Sequence, residues 1–114
     1  MFRVAIVGGK DTNNYENFRI KCISLLKNKA KEGIFILSTG DDFVDEFAMR
    51  YKIDVQNFYT DFAKFANLAL KKRNELLLDN CDALIAFLPE RKDIQHIISM
   101  AEEKHIPIRR VKTT

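Results

Sequence analysis

Residues 2–11 read Phe-Arg-Val-Ala-Ile-Val-Gly-Gly-Lys-Asp. A β-branched, apolar run that stops abruptly at Gly8-Gly9 is the pattern of a buried strand ended by a tight turn. Its counterpart is Asp82-Ala-Leu-Ile-Ala-Phe-Leu88, apolar throughout after Asp82, as expected of a central parallel strand covered on both faces and closed by Pro89. Between and after these runs the hydrophobic period changes to that of helices. Tyr15, Phe18, Cys22, Leu25, Leu26 and Ala30 predict a helix over residues 15–31, capped by Asn13 or Asn14 and ended at Gly33. Residues 34–37 read as a second buried strand, followed by a turn at Ser38-Thr39-Gly40. Asp41 or Asp42 then caps a helix with inner face Val44, Phe47, Ala48 and Tyr51.

The rest of the chain continues the rhythm. Residues 55–59 read as a short edge strand, because Gln56 and Asn57 interrupt its pattern. One long helix is expected from Asp61 to Asp79-Asn80, with stripe Phe62, Phe65, Ala66, Ala69, Leu70, Leu76 and Leu77 and no Gly or Pro inside it. Ile94, Ile97, Ile98 and Ala101 mark a last helix, and Ile106-Pro107-Ile108 leads into a terminal strand ending near Val111. Strands alternating with helices in this way imply a Rossmann-like α/β three-layer sandwich, with a mostly parallel five-stranded sheet in the order 3-2-1-4-5. Ligands of such sheets bind at the carboxyl ends of the strands where the winding reverses. Here that point lies between strand one and the strand ending at Leu88, flanked by loops 8–14 and 89–93.

Composition limits the functional classes. The chain of 114 residues is the size of one domain, and 46% hydrophobic with 31% charged residues is ordinary for a globular protein. No apolar run approaches membrane-spanning length and no leader pattern follows Met1, so a cytoplasmic, non-membrane protein is expected. A net charge of +3 from scattered basic residues argues against nucleic acid as a partner. Cys22 and Cys81 form no C-x-x-C pair and read as buried thiols, while His96 and His105 do not share a helix face as metal ligands. The carboxylates Asp41, Asp42, Asp45 and Glu46 are dense enough for a divalent cation or ribose hydroxyls, yet acidic residues in a first helical turn explain most of them; neither a metal nor a cofactor is assigned.

Val4 to Asp11, Arg73-Asn74 and Asp82 to Phe87 together resemble the YspA-type, YpsA-related branch of the SLOG superfamily over nearly the whole chain. The resemblance implies a Rossmann-like domain associated with nucleotides or nucleotide-derived ligands; it implies a ligand class, not a reaction. Gly8, Gly9, Lys10 and Asp11 match its first motif, Gly40 and Asp45 parts of its second, Asp61-Phe62 stands for Asp-Trp, and Arg73-Asn74 is retained. Asp41, Asp42, Phe43 and Val44 replace a family Ala-Arg-Gly-Ala stretch, and Lys92, Asp93 and Ile94 replace Arg-Gly-Thr. Two glycines suited to an anion-binding loop are thereby lost.

The candidate ligand-binding residues are therefore Gly8, Gly9, Lys10, Asp11, Gly40, Asp45, Arg73, Asn74 and Arg91. Gly8 and Gly9 would admit a ligand closely or form a plain tight turn; if Gly9 is there for the ligand, Gly9→Val is expected to abolish binding and leave folding intact. Lys10 either meets a phosphate oxygen or is a solvated loop lysine, and Asp11 either accepts a ribose hydroxyl or caps the turn. Arg91 and Lys92 begin the last helix, where the dipole disfavours cations unless they serve an anion. The leading expectation is a binding module or sensor for a nucleotide-like small molecule. One alternative is an enzyme acting on an N-glycosidic or phosphoester bond, with Asp45 or Glu46 orienting water or a ribose hydroxyl. Another is a ligand-free interaction protein, or homo-oligomer, that uses Tyr59, Phe62 or Phe65.

Overall fold

Alternation along the first strand divides the core. In the computed structural model, which describes residues 1–12, 14–88 and 91–112, β1 (Phe2–Val7) sends Val4 and Ile6 to one face and Ala5 and Val7 to the other. A single turn of 3₁₀ helix (Gly9–Thr12) leads to α1 (Tyr15–Leu26), then β2 (Ile34–Ser38), α2 (Asp42–Arg50) and β3 (Asp54–Asn57). A one-turn helix α3 (Phe62–Phe65), α4 (Ala69–Asp79), β4 (Ala83–Leu88), α5 (Lys92–Glu103) and β5 (Ile108–Lys112) complete the chain. The sheet is parallel throughout, in the order β3-β2-β1-β4-β5. This is the expected Rossmann-like order, with β3 at an edge.

One face packs on α1 and α2 through Phe18, Cys22, Leu26, Val44 and Phe47; the other packs on α4 and α5 through Leu77, Leu78, Ile94 and Ile97. Asn14 caps α1, its Oδ1 accepting from the Glu16 and Asn17 amides at 2.9 and 3.3 Å. The other proposed cap, Asn13, lies outside the described residues, as does Pro89. No helix among the described residues is long and apolar enough to cross a membrane.

Tyr51, expected on the inner face of α2, follows the helix and is exposed, and two further helices differ in extent or phase from their sequence reading. α1 stops at Leu26, and residues 27–32 wind as a 3₁₀ segment in which nothing is buried, because the polar run after Leu26 gives an α-helical continuation no face to pack. The single helix expected from Asp61 to Asp79 is broken at Ala66, whose φ is +51°. Residues 62–68 bury no side chain, so their apolar stripe has no packing to hold it in phase with α4. The buried face of α4 is Ala69, Asn74, Leu77 and Leu78; Leu70 and Leu76, expected inside, are exposed. Cys22 is buried as expected, whereas Cys81 is only half-buried. Burial pushes the two thiols up to about 12 and about 11, which makes them poor nucleophiles at neutral pH.

Candidate functional site

At the carboxyl ends of β1 and β4 a polar pocket of about 180 Å³ is walled by Gly8, Lys10, Thr39, Gly40, Asp41, Arg73, Arg91 and Asp93, with Ile94 and Ile97 behind. Five of the nine candidates thus meet in one crevice. Lys10 arrives on the turn after β1, Arg73 on α4 and Arg91 just before α5. Arg73 is half-buried, and its Nε donates to Asn74 Oδ1 at 2.9 Å. Asn74, only 2% exposed, therefore acts from behind the wall by fixing the guanidinium's direction. Burial lowers the basicity of Arg73, partly offset by the charge of Asp93. Among the described residues no carboxylate comes within ion-pair distance of Arg73.

Arg91 is differently placed. Its Nε lies 3.2 Å from Asp11 Oδ2 and 3.5 Å from Asp93 Oδ1. The contact with Asp11 is an ion pair whose angles fall short of a hydrogen bond, since Asp11 Oδ2 is buried without one. The conflict between a cation and the N-terminus of α5 is thus met by the protein's own carboxylates. Asp11 sits beneath Arg91 and contributes no wall to the pocket.

Gly8 lines the crevice, whereas Gly9 serves a purpose different from the one expected of it. Gly8 has φ +75°, and a Cβ there would stand 2.8 Å from the Phe87 carbonyl oxygen of β4. At Gly9 a Cβ would stand 2.6 Å from Phe18 Cε1 and 3.1 Å from Asp41 Oδ2. Gly9 is buried against the aromatic core and does not line the pocket. The expectation that replacing it would spare the fold is therefore corrected: the missing side chain makes room for Phe18.

Asp41 lines the crevice and is fixed there by the backbone. Only 5% exposed, it receives the Lys10 amide on Oδ2 at 3.0 Å and the Phe43 amide on Oδ1 at 3.0 Å, so one carboxylate caps α2 and ties down the turn after β1. Its own amide donates to Ser38 Oγ at 3.3 Å. The Lys10 amide is therefore taken, and the cationic side chains that line the crevice are Lys10, Arg73 and Arg91, beside the carboxylates of Asp41 and Asp93.

No protein-family model, curated protein or solved structure matches this chain.

Asp45 lies outside the crevice. It faces β3, where its Oδ1 and Asn57 Oδ1 are both buried without a partner that meets hydrogen-bond geometry. Burial raises its carboxyl above the usual range; the neighbouring Asn57 amide pulls it down, and the charges of Asp41 and Asp42 push it up. Asp42 is exposed in the first turn of α2, and Glu46 pairs with Arg50 at 3.4 Å. Among the described residues no group of three His, Cys, Asp or Glu side chains is placed to hold a metal ion.

A folded-state pKa raised above the unfolded one means that the neutral form of Asp45 favours the fold. That contribution is complete below the ordinary value near about 4 and is lost as pH rises through the raised one. Asp45→Asn should therefore raise the melting temperature by roughly 1–3 °C at pH 7 and leave it unchanged at pH 3. Thermal melts of both proteins at the two pH values check this. An equal gain at both would mean that charge is not the cause.

Thr39 and Asp93 line the pocket without having been singled out as candidates. Thr39 lies in the turn Ser38-Thr39-Gly40 after β2, and its position beside the switch point was the available signal.

Proposed function

We propose that this chain is a binding module for a small nucleotide or nucleotide derivative, taken by its phosphate end in the crevice between β1 and β4. The observation that carries the reading is Arg73: a half-buried guanidinium, aimed by Asn74, beside a pocket that also holds Lys10 and Arg91. Removing a charge from water is costly unless an opposite charge answers it, and a bound anion would supply that charge. Site size sets the mode of binding. About 180 Å³ falls below the roughly 300–1,000 Å³ of whole small-molecule sites, so the pocket suits a phosphate group while the remainder of the ligand rests outside. The resemblance to the SLOG superfamily supports the same ligand class, and a cytoplasmic sensor is the role in keeping with it.

Arg73→Gln tests this. In a thermal-shift panel of nucleotides, dinucleotides and ADP-ribose derivatives, at least one compound should stabilise the wild type, and Arg73→Gln should weaken that compound by roughly ten- to a hundredfold while melting within a few degrees of wild type. Stabilisation that survives the substitution undiminished would place the ligand elsewhere.

A second reading rests on Asp41. Because its carboxylate already satisfies the Lys10 amide, the crevice could be a remnant on an interaction protein, with exposed Tyr59 and Phe62 meeting a second copy or a partner. No response across the panel together with a stable homodimer in sedimentation would favour it.

A further inference from the structure

We propose that Tyr59 is a stacking platform for the base of the ligand, so that the molecule recognised is a nucleotide with an aromatic base and not merely a phosphorylated sugar. The proposal rests on reading the crevice as the phosphate site. Beyond β3 the chain continues along β2, with the Phe58 amide donating to the Ser38 carbonyl at 2.7 Å, and this carries Tyr59 to the same end of the sheet as the crevice. There the ring meets Gly40. A Cβ on Gly40 would lie 3.2 Å from Tyr59 Cε1 and 3.9 Å from Cδ1, so the absent side chain leaves room for that edge of the ring. Gly40 also walls the polar pocket, which makes it the common boundary of ring and crevice.

Tyr59 is nonetheless 69% exposed, so most of a large aromatic surface faces solvent beside a pocket sized for a phosphate. Aromatic side chains next to cationic grooves are where nucleic-acid bases stack, because every base offers a π-face and the contact removes both rings from water. A nucleoside monophosphate carries its base one sugar away from the phosphate. With its phosphate among Lys10, Arg73 and Arg91, it has its base over the rim that Gly40 and Tyr59 share.

Calorimetric titrations of ribose 5-phosphate and of the 5′-monophosphates of adenosine, guanosine, cytidine and uridine test this on wild type, Tyr59→Ala and Tyr59→Phe. At least one nucleotide should bind about tenfold tighter than ribose 5-phosphate to the wild type, the effect of one base–aromatic stack. Tyr59→Ala should erase that advantage with ribose 5-phosphate unchanged, and Tyr59→Phe should keep it. The chain has no tryptophan, so Tyr59→Trp adds a single fluorophore that should be quenched by the preferred nucleotide and not by ribose 5-phosphate. Equal affinities for all five compounds, or an advantage that survives Tyr59→Ala, would overturn the platform and leave the phosphate site standing. Failure of all five to bind would overturn the platform, while the phosphate site would fall only if dinucleotides and ADP-ribose derivatives also failed to bind.

Discussion

Gly9→Ala is expected to destabilise the protein by about 3 kcal/mol, seen as a lower urea midpoint with an unchanged slope. The new methyl would sit 2.6 Å from Phe18 Cε1, and Phe18 has nowhere to retreat. That ring is fully buried, 5.0 Å from Phe87 between centroids and 5.9 Å from Phe43, with Phe47 edge-on at 6.1 Å. Moving it disturbs the core between α1, α2 and the sheet, where interiors are packed too densely to absorb a methyl group without strain. A midpoint equal to wild type, with ligand affinity lost, would return Gly9 to the ligand and remove it from the core.

Asp41→Ala is expected to cost a further kind of stability, about 2–4 kcal/mol, because two backbone N–H groups lose their acceptor at once. The amides of Lys10 and Phe43 converge on this one carboxylate, so its loss loosens both the turn after β1 and the first turn of α2. Asp41→Asn retains a carbonyl oxygen and should cost less, about 1 kcal/mol. The same pair of variants reports on binding. If the carboxylate keeps anions off the Lys10 amide, inorganic phosphate should bind Asp41→Asn more tightly than wild type, measured by titration in low salt. Weaker binding would show that the negative charge organises the crevice rather than guarding it.

Much of the architecture was legible because it depends on periodicity. Val4 and Ile6 alternating with Ala5 and Val7, and the continuous apolar run of β4, are properties of the chain that any sheet must use in one way. The break at Ala66 was not legible, since no Gly or Pro marks it; it reflects what residues 62–68 fail to bury. The phase of α4 was misread at Leu70 and Leu76, which are exposed, while Asn74 is buried and accepts from the Arg73 guanidinium. At the site, the sequence reading placed Lys10 and Arg91 on loops flanking one crevice and put Arg73 in the same candidate set, and the structure brings all three to its wall. What lies against Gly9, and which of Asp41 and Asp42 turns inward to the Lys10 amide, are facts about residues distant in the chain. Local pattern carries no record of them.

The most direct check is a ¹H–¹⁵N NMR titration of the wild-type chain with the nucleotide that gives the largest thermal shift, resolving the Arg73 Nε–H as well as the backbone amides. Anion capture by these side chains requires the Arg73 Nε–H and the amides of Lys10, Gly40 and Arg91 to move together along one binding curve. Saturation of the ligand with those signals fixed, or shifts confined to a different end of the sheet, would contradict it.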